Sequence, residues 1–445
     1  MLSDDALVEV FHHCREGRIY FKMSVWKPLV HVCKRWRQLI FASPQHLHLL
    51  LLCHNRTLTR MTLDIWPPLS IMIYVDPFYM DYCEHDNINA ALERHDRITI
   101  IRFSNISSTA LENLLAFMQT PLPALKELGI WGELMPILPM PVLPETFLGG
   151  SAPRLRSCAL HCIAFPALPT FLEFACQLSN LTLIRVPDIS PRVMATCLAA
   201  LPNLKTLFLT LESDYIPSFP SPPLARANLP ALTRFNFDGD NRYLEELVAR
   251  IDAPSLRRLV VTFAMDPNFS ASQFYRFISR SQLLKESHHA RVDLNCWSFG
   301  IYNRSGNHLR LYTHSTMSGR RISSTARLCN DISPLLSQVE SLNIYGKARP
   351  QLELQDKMAS MQWLNFFRPF TAVECLFVSQ GLVPVVAHAL RELAGERATE
   401  VLPVLRSLFF EGLDTCRSVQ EVIEPFLATR RLSDRPVALC DGIKL

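Results

Sequence analysis

The chain has 445 residues, 49% hydrophobic and 19% charged, so it holds ample apolar material for a large core and global disorder is excluded. Its net charge of +4, from 45 Lys and Arg against 41 Asp and Glu, is too weak and too evenly spread to mark a nucleic-acid binder. The 31 Pro outnumber the 14 Gly, the reverse of average usage, which disfavours enzymes built on glycine-rich phosphate loops.

The N-terminal residues MLSDDALVEV are acidic where a signal peptide is basic, and the 13 Cys include no C-x-x-C. An intracellular, reducing compartment is therefore expected, cytoplasmic or nuclear. Apolar runs such as Leu49 to Cys53 fall far short of the ~20 residues that span a bilayer, so no membrane is expected as a partner. Ser3 is placed to cap a first helix, with Asp4 and Asp5 at the positive end of its dipole and Leu7, Val10 and Phe11 on one face. The polar stretch from His12 to Pro28 follows. A second helix is expected from Leu29 to Ile40, where Leu29, Val32, Cys33, Trp36, Leu39 and Ile40 form one stripe and Lys34, Arg35, Arg37 and Gln38 face away. Two such helices bury little by themselves, so a partner is expected to complete the module.

From residue 98 to residue 410 one phrase returns, an apolar anchor followed by two more at the third and fifth positions beyond it. Its ten copies are ITIIRF from Ile98, LKELGI from Leu125, LRSCAL from Leu155, LTLIRV from Leu181, LKTLFL from Leu204, LTRFNF from Leu232, LRRLVV from Leu256, VESLNI from Val339, VECLFV from Val373 and LRSLFF from Leu405. From Ile98 to Leu256 the anchors advance by about 26 residues per step, inside the window of leucine-rich repeats. L-x-x-L-x-L puts alternate residues of a short strand into a core. Helical spacing recurs between the phrases, at Ala110 to Met118, Val193 to Leu201, Leu244 to Ile251, Gln273 to Ser279 and Val385 to Leu393. The expected fold is therefore α/β, a solenoid of strand-plus-helix units that bury their apolar faces against neighbours. The competing reading, a single α/β domain with L-x-L strands, accounts less well for ten copies near one spacing.

Between Leu256 and Val339 two further units are expected, with Leu283 and Leu311 at the anchor offsets and the strand-like RVDLNCW and HLRLY as replacements. The Asn that leucine-rich repeats place after the last anchor is missing, with Glu212 or Asp240 in its place in two copies. Six anchors have Pro two positions earlier, at Pro123, Pro153, Pro202, Pro230, Pro254 and Pro403, where it is expected to stop a helix and favour extended chain. Residues between and beside the anchors point to the open, concave face of the sheet, where solenoids bind. Arg185, Phe208, Arg234, Arg258, Tyr345, Phe377 and Phe409 are the substrate-contact candidates there, and their mixed character suits a protein partner rather than a phosphate backbone.

No Walker loop, G-x-S-x-G, H-E-x-x-H or G-x-G-x-x-G occurs, so no catalytic residue, metal or cofactor is assigned and the chain is not expected to be an enzyme. Cys158, His161 and Cys162 lie close in sequence, but Cys158 is an anchor and no second ligand pair follows at finger-like spacing. His288-His289 reads as a solvated loop pair, and Cys33 as a packed small hydrophobe rather than a nucleophile. The runs at Pro136 to Pro144 and Pro217 to Pro223 read as stiff loops.

L-S-D-D-x-L-x-x-x-F followed by V-C-K-R-W-R-Q-L-I resembles an F-box, whose family pattern runs L-P-x-E-[IL]-[LV]-x-x-[IV]-F and then V-C-[RK]-x-W-[RK]-x-[LI]. Together with the irregular repeats it is similar to the F-box/leucine-rich-repeat proteins of mushroom-forming fungi. Ser3 replaces the family's Pro, and the stretch between the helices is longer and more polar than usual. The resemblance implies a substrate receptor of a Skp–cullin–F-box ubiquitin ligase, bound to a Skp-type adaptor and, through it, to cullin. Carried over, Leu2, Leu7, Val10, Phe11, Leu29, Val32, Cys33, Trp36 and Leu39 make the adaptor surface or the core behind it. The implied organisation is an F-box-like module over 1–50, a linker over 51–95, the repeat solenoid over 96–415 and a C-terminal cap over 416–445. The alternative is a repeat scaffold or sensor whose F-box has decayed.

Overall fold

The computed structural model describes residues 2–13, 26–44, 47, 49–53, 59–75, 85–133, 140–187, 189–211, 226–264, 272–283, 288–294, 298–302, 308–314, 326, 329–330, 332–346, 357–395, 397–412 and 417–442. The fold is mixed α/β, with fourteen α-helices among the described residues and strands that pair mostly in parallel. Two compact units divide the chain: Met1–Ile189 with Thr196–Leu204, and Ser190–Ala195 with Lys205–Leu445. The Glu212 position, both proline runs apart from Pro141 and Pro144, and most of the polar stretch after His13 lie outside the described residues.

The first unit opens with α1 (Asp4–His13), α2 (Trp26–Val30) and α3 (Lys34–Ala42). Ser3 caps α1 as expected, its Oγ accepting the Ala6 N–H at 3.3 Å. The single helix expected from Leu29 to Ile40 is instead broken at His31–Cys33. Cys33 adopts an extended conformation and caps α3, its sulfur accepting the Trp36 N–H at 3.4 Å. It is exposed, not packed, because a capping residue stands outside the helix it starts.

After the helices come β1 (Leu50–Cys53), α4 (Thr59–Ile65), β2 (Ser70–Val75), α5 (His85–Leu92), β3 (Ile98–Ile106), α6 (Ser108–Leu115), β4 (Glu127–Gly132), β5 (Ser157–His161), α7 (Leu168–Glu173) and β6 (Asn180–Ile184). The six strands pair in chain order, all parallel. Residues 51–95, expected as a linker, thus add two strand-and-helix units to the sheet. LLLC and SIMIYV lack the repeated phrase, yet Ile73 and Val75 fall in register with the anchors Ile101 and Phe103. The next helix, α8 (Pro191–Ala199), holds residues of both units.

In the second unit the elements are β7 (Thr206–Thr210), β8 (Ala227–Asn228), β9 (Arg234–Gly239), α9 (Asn241–Val248), β10 (Ile251–Asp252), β11 (Arg258–Ala264), α10 (Ser272–Ser279), β12 (His289–Asp293), β13 (Ser298–Tyr302) and β14 (His308–His314). They continue with α11 (Ser333–Leu336), β15 (Ser341–Tyr345), α12 (Lys357–Phe367), β16 (Cys375–Val378), α13 (Val383–Arg391), β17 (Ser407–Phe410), α14 (Arg417–Leu432) and β18 (Ala438–Asp441). Asp240 caps α9, its carboxylate accepting the Arg242 and Tyr243 N–H groups. The sheet of this unit runs β7-β9-β11-β14-β13-β12-β15-β16-β17-β18, and β8 pairs with β10 apart from it. The expected pair of parallel units around Leu283 and Leu311 is not formed. β13 lies antiparallel between β12 and β14, so that β11 pairs with β14 and β12 with β15. Leu311 aligns with Val261, a third anchor, not a first one.

Nine of the ten anchor triplets are buried as read, each Leu worth about 1.5–3 kcal/mol when fully removed from water. The fourth triplet is shifted: Leu178, Leu181 and Leu183 are fully buried, and Leu181 and Leu183 align with Cys158 and Leu160. LSNLTL is therefore the true phrase, and Ile184 is only half-buried. The six prolines act differently from expectation. In each case the anchor N–H donates to the carbonyl three residues back, as from Leu125 to Leu122 and from Leu232 to Leu229, with Pro second in a four-residue β-turn. Its fixed φ suits that position, and no glycine is required.

Candidate functional site

Two surfaces answer to the sequence candidates, and the first is the helical module. Leu7 and Phe11 of α1 are buried with Val30 and Ile40, and the Phe11 ring meets Trp36 edge-on at 4.9 Å. Arg35 ties the two ends together: its guanidinium donates to the Leu2 carbonyl at 2.8 Å and pairs with Asp4. Leu29, Trp36 and Leu39 are half-buried. By contrast Leu2, Val10 and Val32 are 58%, 47% and 59% exposed, and Cys33 is exposed beside them in sequence. The nine candidates thus divide into a small core and an uncovered apolar set.

The second surface is the face of the second unit's sheet opposite the buried anchors. Side chains alternate along each strand, so register sets them in rows. One row holds Arg234, Arg258 and His308 on β9, β11 and β14. The next holds Phe208, Asn236, Val260 and Arg310, and continues through Gly300, Arg291 and Asn343 to Phe377 and Phe409. Arg234 and Arg258 are exposed and have no hydrogen-bond or ion-pair partner among the described residues. Arg310 is clamped by two phenols, donating to Tyr302 Oη at 3.1 Å and to Tyr312 Oη at 3.1 Å. The bond to Tyr302 holds this guanidinium above its usual pKa against the opposing effect of burial, with Tyr312 adding to it. Arg291 lies 4.1 Å from the centre of the Tyr345 ring, which packs 5.4 Å from Phe377. Between Arg310 and Arg291 the Tyr302 ring lies over Gly300, where a Cβ would displace it.

No family model matches the chain, and no curated protein matches it. Among solved structures it aligns with a protein from Bacteroides fragilis at 10% identity and a TM-score of 0.26, covering 65% of this chain and 66% of that one, just under two thirds of its length.

Of the seven face candidates, Phe208, Arg234, Arg258, Tyr345, Phe377 and Phe409 belong to this one sheet. Arg185 does not join them. It belongs to the first unit, past the end of β6 with φ 52°, because the register of its repeat had been read three residues late. Arg310 and Arg291 were missed, although each stands between two buried residues, Leu309 and Leu311 or Ala290 and Val292. That alternation was the signal.

Cys158, His161 and Cys162 are all buried. Burial pushes the Cys158 thiol up to about 12, and burial, with the charge of Arg185, lowers His161 below its usual 6.5. Among the described residues no group of three His, Cys, Asp or Glu could hold a metal ion, and no helix is long and apolar enough to cross a membrane. His288 is not merely solvated, since its Nδ1 lies 3.1 Å from a Glu340 carboxylate oxygen.

Proposed function

We propose that the chain is a non-catalytic substrate-recognition subunit of a Skp–cullin–F-box ubiquitin ligase, in which the N-terminal helices dock a Skp-type adaptor and the open sheet face recruits a protein substrate. The observation that carries this reading is the helical module itself. It closes a core of Leu7, Phe11 and Ile40 against Trp36 yet leaves Leu2, Val10 and Val32 uncovered, ahead of an array of strand-and-helix units. An apolar set left bare on so small a module suits a docking partner. The test is co-purification of the full chain with a Skp-type adaptor. Val10→Glu with Val32→Glu changes two exposed side chains and is expected to abolish capture while leaving the thermal transition in place. Trp36→Ala is expected to weaken capture as well, through loss of the Phe11 contact. A folded full-length chain that captures no adaptor would falsify the ligase reading. Capture of another protein by the sheet face in that case marks the scaffold alternative.

A further inference from the structure

We infer that the arginine rows of the second unit bind an extended, carboxylate-rich segment of a partner protein, laid across the strands from Arg234 towards Phe377. This deepens the substrate-recruiting role proposed above and rests on it only for the identity of the partner as a substrate.

Arg234 and Arg258 face each other at one register on β9 and β11, both exposed and both without a described partner. Like charges directly opposite in neighbouring strands are destabilising, so this pair is retained at a cost that an incoming anion would offset. Arg310 follows on β14, its guanidinium bonded to the hydroxyls of Tyr302 and Tyr312 and to no carboxylate among the described residues. Arg291 follows on β12, 3.9 Å from Asp293 and beyond hydrogen-bond reach of it. With strands ~4.8 Å apart, the four guanidinium groups extend over about 19 Å. A single phosphate or carboxylate cannot serve such a spread, whereas acidic side chains along one extended segment can.

A further observation favours a protein segment over a nucleic acid. Beyond Asn343 the row turns apolar at Phe377 and Phe409, with the Tyr345 ring packed 5.4 Å from Phe377, which gives an aromatic or aliphatic side chain a place to seat.

The experiment is selection of a displayed random-peptide library on the purified full-length chain, with no adaptor present, alongside direct binding of oligothymidylate. Selected peptides are expected to be rich in Asp and Glu. Their binding is expected to fall by about tenfold or more in the Arg234→Glu/Arg258→Glu variant and less in Arg234→Gln/Arg258→Gln, and to weaken with salt. Neither variant removes a described contact; the Glu variant keeps a like-charged pair and is expected to melt near the parent, and the Gln variant, relieved of it, no lower than the parent. Selection of no peptide, of neutral or basic peptides, or of acidic peptides that bind both variants unchanged overturns the inference, as does oligothymidylate binding that the variants abolish. Because no adaptor enters the assay, its failure is distinct from failure of adaptor capture.

Discussion

Arg430 is the one arginine fully buried among the described residues, and the hydrogen bonds it donates there all go to carbonyl oxygens. It donates to Leu405 at 3.0 Å and to Leu402 at 3.3 Å, with Ala398 and Pro403 also in reach, and so gathers the turn that precedes β17. Burial lowers its pKa, with Arg435 adding to the effect, but a guanidinium at neutral pH keeps its charge. Nothing in the periodicity of α14 flagged it, since an arginine two residues from a helix end reads as a solvated one. Arg430→Met keeps most of the volume and removes every donor, leaving those carbonyls without this partner. A loss of about 2–3 kcal/mol is expected, read as a lower urea midpoint at unchanged slope. An unchanged midpoint would show that water replaces the arginine there.

At the scale of single elements, the prolyl turn is the recurring device. Pro230 sits second in the turn that Leu232 closes on Leu229, just ahead of β9. Its own nitrogen donates to nothing in that geometry, so the ring's effect is to reduce the freedom of the unfolded chain. Pro230→Ala is expected to lower stability by about 0.4–1 kcal/mol, with the binding of selected peptides unchanged. The prolines were visible in the sequence, but their role was not, because two residues ahead of a strand is equally compatible with a turn and with the start of extended chain. Register has the same character. LTLIRV satisfies the spacing as well as LSNLTL does, and only the fully buried Leu178 and Leu183 decide between them. The broken helix at Cys33 was hidden because Leu29 to Ile40 keeps its helical spacing across the break.

For the whole molecule, alternation of buried and exposed residues revealed most strands and which side of each is covered. It could not reveal direction, because a period of two reads the same either way. RVDLNCW and HLRLY were seen as strand-like for that reason, while β13 between them and the antiparallel course were not. Residues 51–95 were missed for a different one, since β1 and β2 are apolar and paired but carry no L-x-x-L-x-L phrase. The face candidates fared accordingly. Phe377 and Phe409, placed by correct registers, share a row, whereas Arg310 and Arg291 needed the unforeseen strand order to appear in it.

That reversed excursion alters how the second unit can assemble. In a stack where each strand pairs with the next in sequence, structure grows by short closures, each supported by the one before. Here the edge of β11 has to wait for β14, and β12 has its remaining edge filled only when β15 arrives. The three strands must therefore be gained or lost as one block, bounded by a longer closure than any simple repeat demands. Hydrogen exchange followed by mass spectrometry is expected to show the amides of β12, β13 and β14 opening together, with a rate distinct from those of β16 and β17. A protection gradient falling smoothly from β11 to β15 would contradict it. A chain built mostly as a zipper thus contains one clasp, which separates its folding into a segment before and a segment after.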